Sequence, residues 1–217
     1  MNKRGYGQYC GFARAMEVLG ERWGFLIVRD LLVSPKRFSD LQRGLPGIPS
    51  NVLTKRLNDL EEAQVVERRV LPRPERGIAY SLTGYGRELE SIVMALGRWG
   101  AKTLKEPRPD ETVTTDSLIS ALRATFRPQP SRGIKASYEL RAGDIVIHAR
   151  ISDGKLETGP GPLDMPDLVI EAGPAMRALM AGEIEPADAV ADGNIRVIGD
   201  PKHLGTFARL FRIDSLN

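Results

Sequence analysis

The chain has 217 residues, with 31 Lys and Arg against 28 Asp and Glu, two His and one Cys. One cysteine excludes an internal disulfide and fits a reducing compartment, while the lack of H-E-x-x-H, C-x-x-C, G-x-S-x-G and P-loop motifs gives no basis for an enzyme, a metal site or a cofactor. The start, MNKRGYGQYC, lacks an apolar core and no apolar run approaches the ~20 residues that span a bilayer, so a cytoplasmic protein with no membrane partner is expected.

A first helical pattern follows Tyr9-Cys10-Gly11, and a second opens at Gly20-Glu21-Arg22-Trp23. Trp23, Phe25, Leu26, Ile27, Leu31 and Leu32 are expected in the core. Residues 36–60, KRFSDLQRGLPGIPSNVLTKRLNDL, then carry two short helical patterns joined by a Leu-Pro-Gly-Ile-Pro break, which reads as a helix-turn-helix. At about 100° per residue, Val52, Leu53, Leu57 and Leu60 gather on one side of the second helix. Asn51, Thr54, Lys55 and Asn58 fall within an arc of roughly 100° on the other. Asn and Lys can read purine edges in the major groove and Thr a thymine methyl or a phosphate, where a merely solvated face would carry Glu and Lys. Arg56 falls near the apolar side and suits a structural or phosphate-contacting role.

Strand patterns at Val65 to Leu71 and Ile78 to Thr83 flank Pro72-Arg73-Pro74-Glu75-Arg76-Gly77, a hairpin with a stiff, basic tip. Its arginines, Arg68, Arg69, Arg73 and Arg76, lie where a wing would follow phosphates. Helix, helix and wing in this order form a winged-helix arrangement, and Arg37 and Ser50 complete the candidate DNA-contacting set. Residues 1–105 hold 18 Lys/Arg against 11 Asp/Glu, a balance of +7, whereas residues 106–217 hold 13 against 17, a balance of −4. A basic excess confined to the first half is the footprint expected of nucleic-acid binding there.

Thr83 can cap a long helix over residues 84–104, in which Tyr85, Leu89, Ile92, Val93, Leu96 and Trp99 keep helical spacing. Such a helix would span roughly 30 Å. Its stripe exceeds what a small winged-helix core covers, which predicts a partner helix from a second subunit, with docking on the C-terminal half as the alternative. Gly84-Tyr85-Gly86 is read as a cap or turn.

Tyr9-Cys10-Gly11, Gly20-Glu21-Arg22-Trp23, Arg37-Phe38-Ser39-Asp40-Leu41, Leu45-Pro46-Gly47-Ile48, Leu53 with Arg56-Leu57, Leu60-Glu61 and Tyr80-Ser81-Leu82-Thr83 with Gly86 together resemble the HxlR family of bacterial winged-helix transcription regulators. The likeness runs from about residue 9 to residue 100. It departs at Pro49, where the family commonly has Ser, and at Gly11, where it has Pro, so the capping of the second helix of the motif is altered. The resemblance implies a homodimer whose two-fold axis matches a palindromic operator on double-stranded DNA. Some relatives place an oxidant- or electrophile-sensing cysteine just before the first helix. Cys10 has that position, with Lys3 and Arg4 nearby to favour a thiolate; the alternative is a small residue packed at a helix start.

Glu106-Pro107-Arg108-Pro109-Asp110 cannot continue a helix, which predicts domains over 1–105 and 112–217 with a linker at 106–111. The second half opens with a helical pattern through Leu118, Ile119, Leu122 and Phe126, broken by Arg127-Pro128-Gln129-Pro130. Strands are expected at Ile134 to Leu140, Asp144 to Ile151, Lys155 to Thr158, Asp167 to Glu171 and Ile195 to Ile198. Helices are expected through Met176, Leu179 and Met180, at Pro186 to Ala191, and through Leu204, Phe207, Leu210 and Phe211. The fold class is therefore α+β: a winged helix followed by an α+β sandwich with a mostly antiparallel sheet.

The series from Asp167-Leu168-Val169-Ile170 through Gly182-Glu183 and Pro186-Ala187-Asp188-Ala189 to Asp192-Gly193 and Gly199-Asp200 is similar to the sterol carrier protein type two-like fold, over about residues 112–213. That resemblance implies an apolar tunnel for a fatty acyl or sterol-like small molecule. Phe126, Met176, Leu179, Met180, Phe207 and Phe211 are its candidate lining, or plain core. The reading that collects these features is a dimeric repressor responsive to an apolar ligand. The alternative is a lipid or apolar-ligand carrier whose N-terminal domain contacts other proteins.

Overall fold

The computed structural model describes residues 5–71, 76–105, 107–173 and 175–214. Contacts divide the chain into two units, Met1–Val93 and Met94–Asn217. In the first, α1 (Gly11–Leu19) is followed by α2 (Gly24–Val33), whose inward positions Gly24, Ile27, Val28 and Leu31 hold the spacing of one helical face. That phase turns Trp23, Phe25 and Leu26 half outward, so they are not the interior residues expected of them. Trp23 instead lies under the Arg22 guanidinium, 5.3 Å from its ring centroid.

Helix α3 (Phe38–Gly44) starts where the Asp40 carboxylate accepts the Arg37 N–H at 3.2 Å. Leu45 and Ile48 are buried on either side of Pro46-Gly47, and Gly47 takes a φ of +83° that a side chain would resist. The chain then enters α4 (Ser50–Glu62), which buries Leu53, Leu57 and Leu60. Strands β1 (Val66–Leu71) and β2 (Gly77–Leu82) pair antiparallel, Arg68 opposite Tyr80 and Val70 opposite Ile78. Tyr80 also exchanges two backbone hydrogen bonds with Lys36, at 2.9 and 2.7 Å, which fastens the hairpin to the segment before α3.

The single long helix expected after Thr83 is interrupted. A four-residue α5 (Gly84–Arg87) ends where the N–H groups of Glu88 and Leu89 bond three residues back, to Tyr85 and Gly86, and α6 (Glu90–Ala101) begins afresh. Twelve residues give α6 a length of ~18 Å. Val93 is buried, whereas Ile92, Leu96 and Trp99 are exposed, Trp99 to 70%.

The second unit carries α7 (Thr115–Thr125), a 3₁₀ turn (Gln129–Ser131), β3 (Lys135–Ala142), β4 (Ile145–Ser152), β5 (Lys155–Pro160), β6 (Leu168–Glu171), α8 (Ala175–Ala181), α9 (Pro186–Ala191), β7 (Arg196–Gly199) and α10 (Lys202–Leu210). Among the described residues these strands form one sheet ordered β5-β4-β3-β6-β7. β3 and β6 run parallel and the other neighbours antiparallel. Period-two alternation puts Ala136, Tyr138 and Leu140 of β3 opposite Ile151, Ala149 and Ile147 of β4, all buried on one face. Thr114 caps α7 by accepting the Ser117 N–H at 3.2 Å. The observed architecture is mixed α+β.

Candidate nucleic-acid interface

Helix α4 separates its two faces as its sequence dictates: Leu53, Leu57 and Leu60 are interior, and Ser50, Asn51, Thr54, Lys55 and Asn58 are exposed. Pro49 is the N-cap and supplies no side-chain cap. The first-turn N–H groups therefore stay open at the positive end of the helix dipole, with no acidic residue in that turn. The Thr54 hydroxyl donates to the Ser50 carbonyl at 2.9 Å. Its outward chemistry is thus a methyl group and oxygen lone pairs.

The candidate arginines differ in how far they are already engaged. Arg56 is only 11% exposed in its side chain and meets Asp59 at 3.3 Å and Glu21 at 3.7 Å, so it holds α4 in place and does not present a free fork. Arg69 is committed along its own strand to Glu67, at 2.7 Å through Nε; this bond, before the attraction of the charge itself, keeps the Glu67 carboxyl below its ordinary pKa. Arg37 lies against the start of β2: a Cβ at Gly77 would sit 3.1 Å from its guanidinium nitrogen. Arg76 is exposed. Arg73 falls outside the described residues.

Sequence reasoning counted Arg68 only as a wing cation. In the structure its guanidinium sits 5.7 Å from the Tyr80 ring centroid and meets both Asn58 at 2.9 Å and Glu61 at 3.1 Å. Strand alternation does put Arg68 and Tyr80 on one face, but nothing in the spacing says that this face looks toward α4.

Cys10 is exposed at the N-cap of α1. The backbone N–H of Ala13, then that of Phe12, lowers its pKa from the ordinary thiol value by favouring the thiolate. Lys3 and Arg4, expected to do this, lie outside the described residues. Iodoacetamide labelling of Cys10 against pH should have its midpoint below the ordinary 9.0; a midpoint at or above that value would show that the α1 amides do not act on the sulfur.

The six tunnel candidates of the second unit come together as packed core. Phe207 and Phe211 are fully buried with ring centroids 4.6 Å apart, and Phe126 stands 5.6 Å from Phe211. Met176, Leu179 and Met180 are buried on α8. Two surface clefts of about 430 and 400 Å³ have other linings: residues between Gly5 and Val18 in one, and Arg141, Glu171, Asn194 and Arg196 with neighbouring glycines in the other.

The profile of the HxlR-like helix-turn-helix family matches residues 18–108, a span that contains α2 to α6 and the hairpin. The HTH-type transcriptional regulator YvaP of Bacillus subtilis is 38% identical over 91 residues, 42% of this chain and 84% of that protein. This chain belongs to the HxlR-like helix-turn-helix family. YodB, another HTH-type regulator of Bacillus subtilis, is 36% identical over 85 residues, 39% of this chain and 76% of YodB. The reduced form of YodB has been solved; it is 31% identical, covers 46% of this chain and 100% of its own, and gives a TM-score of 0.39. These HxlR-type relatives are transcriptional regulators and not enzymes, and DNA binding through the helix-turn-helix follows for the matched part of this chain. No helix among the described residues is long and apolar enough to cross a membrane.

Proposed function

We propose that this chain is a homodimeric, sequence-specific repressor that places one α4 from each subunit in the major groove of a palindromic operator. The observation that carries the reading is the exposed row Asn51, Thr54, Lys55 and Asn58 on a helix locked in by Leu53, Leu57 and Leu60. Its amides and ammonium suit base edges. Ser50 and the open amides of the first turn suit a phosphate, and Arg37, Arg73 and Arg76 add affinity without sequence information. Arg56 and Arg69 act by holding α4 and the hairpin in shape.

The exposed Ile92, Leu96 and Trp99 of α6 support a second copy of the chain as partner. The depressed thiol pKa supports Cys10 as the point where an oxidant or electrophile is sensed. The second unit is taken as a sterol-carrier-like domain for an apolar small molecule. Such a molecule must part the Phe126, Phe207 and Phe211 rings to enter, and it changes DNA binding only by its differential affinity for the DNA-competent state.

The test is binding of fluorescent DNA from the region upstream of the protein's own gene, over a salt series, by wild type and by Asn51→Ala with Lys55→Ala. Wild type should bind selectively, and the double variant should lose at least about tenfold in affinity for the selected site, since a good base contact is worth about 1 to 3 kcal/mol. Equal, unselective binding by both proteins, with no enrichment in a genome-wide selection, would refute the reading.

A further inference from the structure

Asn58 lies on the exposed face of α4, two helical turns after Asn51, and one of its amide atoms is already in use. Arg68, on β1, reaches it at 2.9 Å and is itself steadied by Glu61 at 3.1 Å and by the Tyr80 ring beneath it. A guanidinium has donors only, so the atom it meets on the amide has to be the oxygen. The Asn58 amide is thereby fixed in one of its two orientations, with Nδ2 and its two hydrogens as the free edge.

The consequence is chemical. An unconstrained asparagine recognises adenine bidentately, accepting from N6 with its oxygen and donating to N7 with its nitrogen. Oδ1 keeps a second lone pair, but a cation bonded to it weakens that lone pair as an acceptor and repels the amino hydrogens of adenine N6, so donation from Nδ2 becomes the favoured contact. The purine edge that offers acceptors alone to such a donor is that of guanine, at O6 and N7, whereas adenine sets its N6 amino group beside N7. Thr54, one turn away, adds no second donor there, since its hydroxyl hydrogen is given to the Ser50 carbonyl.

Building on the DNA-reading role of α4 proposed above, we propose that Arg68 is a positioning residue: by holding Oδ1 of Asn58 it makes this side chain a reader of guanine and turns it away from adenine at the base pair beneath it. The wing then contributes to sequence choice through the recognition helix, beyond any phosphate it touches itself.

The experiment is selection from randomised duplex DNA with wild type, Asn58→Ala, Arg68→Met, Arg68→Lys and Asn58→Asp, with affinity for the wild-type site measured against salt. The position that becomes indifferent in Asn58→Ala is the one Asn58 reads, and wild type should show a G·C pair there. Arg68→Met keeps an apolar stem over Tyr80 but has no donor; adenine should rise at that position by about fivefold or more, the lower end of one bidentate pair. Arg68→Lys still donates and should keep guanine. Asn58→Asp presents acceptors alone and should turn toward cytosine, a readout that does not depend on any Arg68 variant folding well.

An A·T pair at the Asn58 position in wild type, or an unchanged preference in Arg68→Met, would overturn the inference while leaving the regulator reading intact. A uniform loss of affinity in Arg68→Met with a salt slope smaller by about one unit would also overturn it, since that is the mark of a plain phosphate contact. Wild type that selects no sequence would remove both.

Discussion

Phe207→Ala should lower the unfolding free energy by about 3 to 5 kcal/mol in urea denaturation, the cost of deleting a ring from a filled core. Phe207 is fully buried, its ring 4.6 Å from that of Phe211 and 5.2 Å, edge on, from that of Tyr138. Burial, and after it the Asp167 charge, pushes the Tyr138 phenol up to about 12. A ring lining an open tunnel has neighbours on one side only, so truncating it would cost nearer about 1 to 2 kcal/mol. The variant thus separates a closed aromatic core from an open lipid channel. If the core is closed, the cavity left by the lost ring should stay dry, and benzene should recover part of the stability of Phe207→Ala while leaving wild type unaffected. A cost below about 2 kcal/mol, with no response to benzene, would show that the rings border space already present.

The helix-turn-helix was readable from sequence because its signals are local. Leu53, Leu57 and Leu60 set the phase of α4, and Leu-Pro-Gly-Ile-Pro supplies both the break and the glycine that the turn needs at Gly47. The strands of the second half were readable for the same reason, β3 and β4 as largely alternating runs and β6 as a short apolar run bounded by turn residues. What sequence hid were contacts between elements. Asn58 and Arg68 are ten residues apart on a helix and a strand, and no periodicity states that one holds the other. Arg69 is a different case: Glu67 lies two residues before it on the same face of β1, and that spacing could have marked the arginine as paired. The phase of α2 is underdetermined by sequence because seven of its ten residues are apolar, and packing chose Gly24, Ile27, Val28, Leu31 and Leu32 over Phe25 and Leu26.

The break between α5 and α6 leads to the second large effect. Gly86→Ala should destabilise the chain by about 3 kcal/mol or more, toward the upper end of what forced overpacking costs. A Cβ at Gly86 would stand 2.1 Å from the Val65 carbonyl oxygen and 3.3 Å from the Leu82 Cβ, so backbone on one side or the other has to move. The same carbonyl accepts the Thr83 N–H at 3.1 Å, the Thr83 hydroxyl donates to the Gln64 carbonyl at 2.6 Å, and that hydroxyl oxygen caps Gly86 N–H at 3.0 Å. Any shift breaks this junction at the point where α4 gives way to β1. Gly84 is the matched control: nothing lies within 4 Å of a Cβ placed there, and Gly84→Ala should be neutral or stabilising by up to about 1 kcal/mol. Because β1 starts directly after Val65, moving it displaces Arg68 from Asn58, so Gly86→Ala should also bind its selected DNA more weakly at temperatures where it remains folded. Equal stability of Gly86→Ala and Gly84→Ala in urea titrations followed by circular dichroism would mean that α5 is not seated on β1, and that the hairpin's position relative to α4 is set elsewhere.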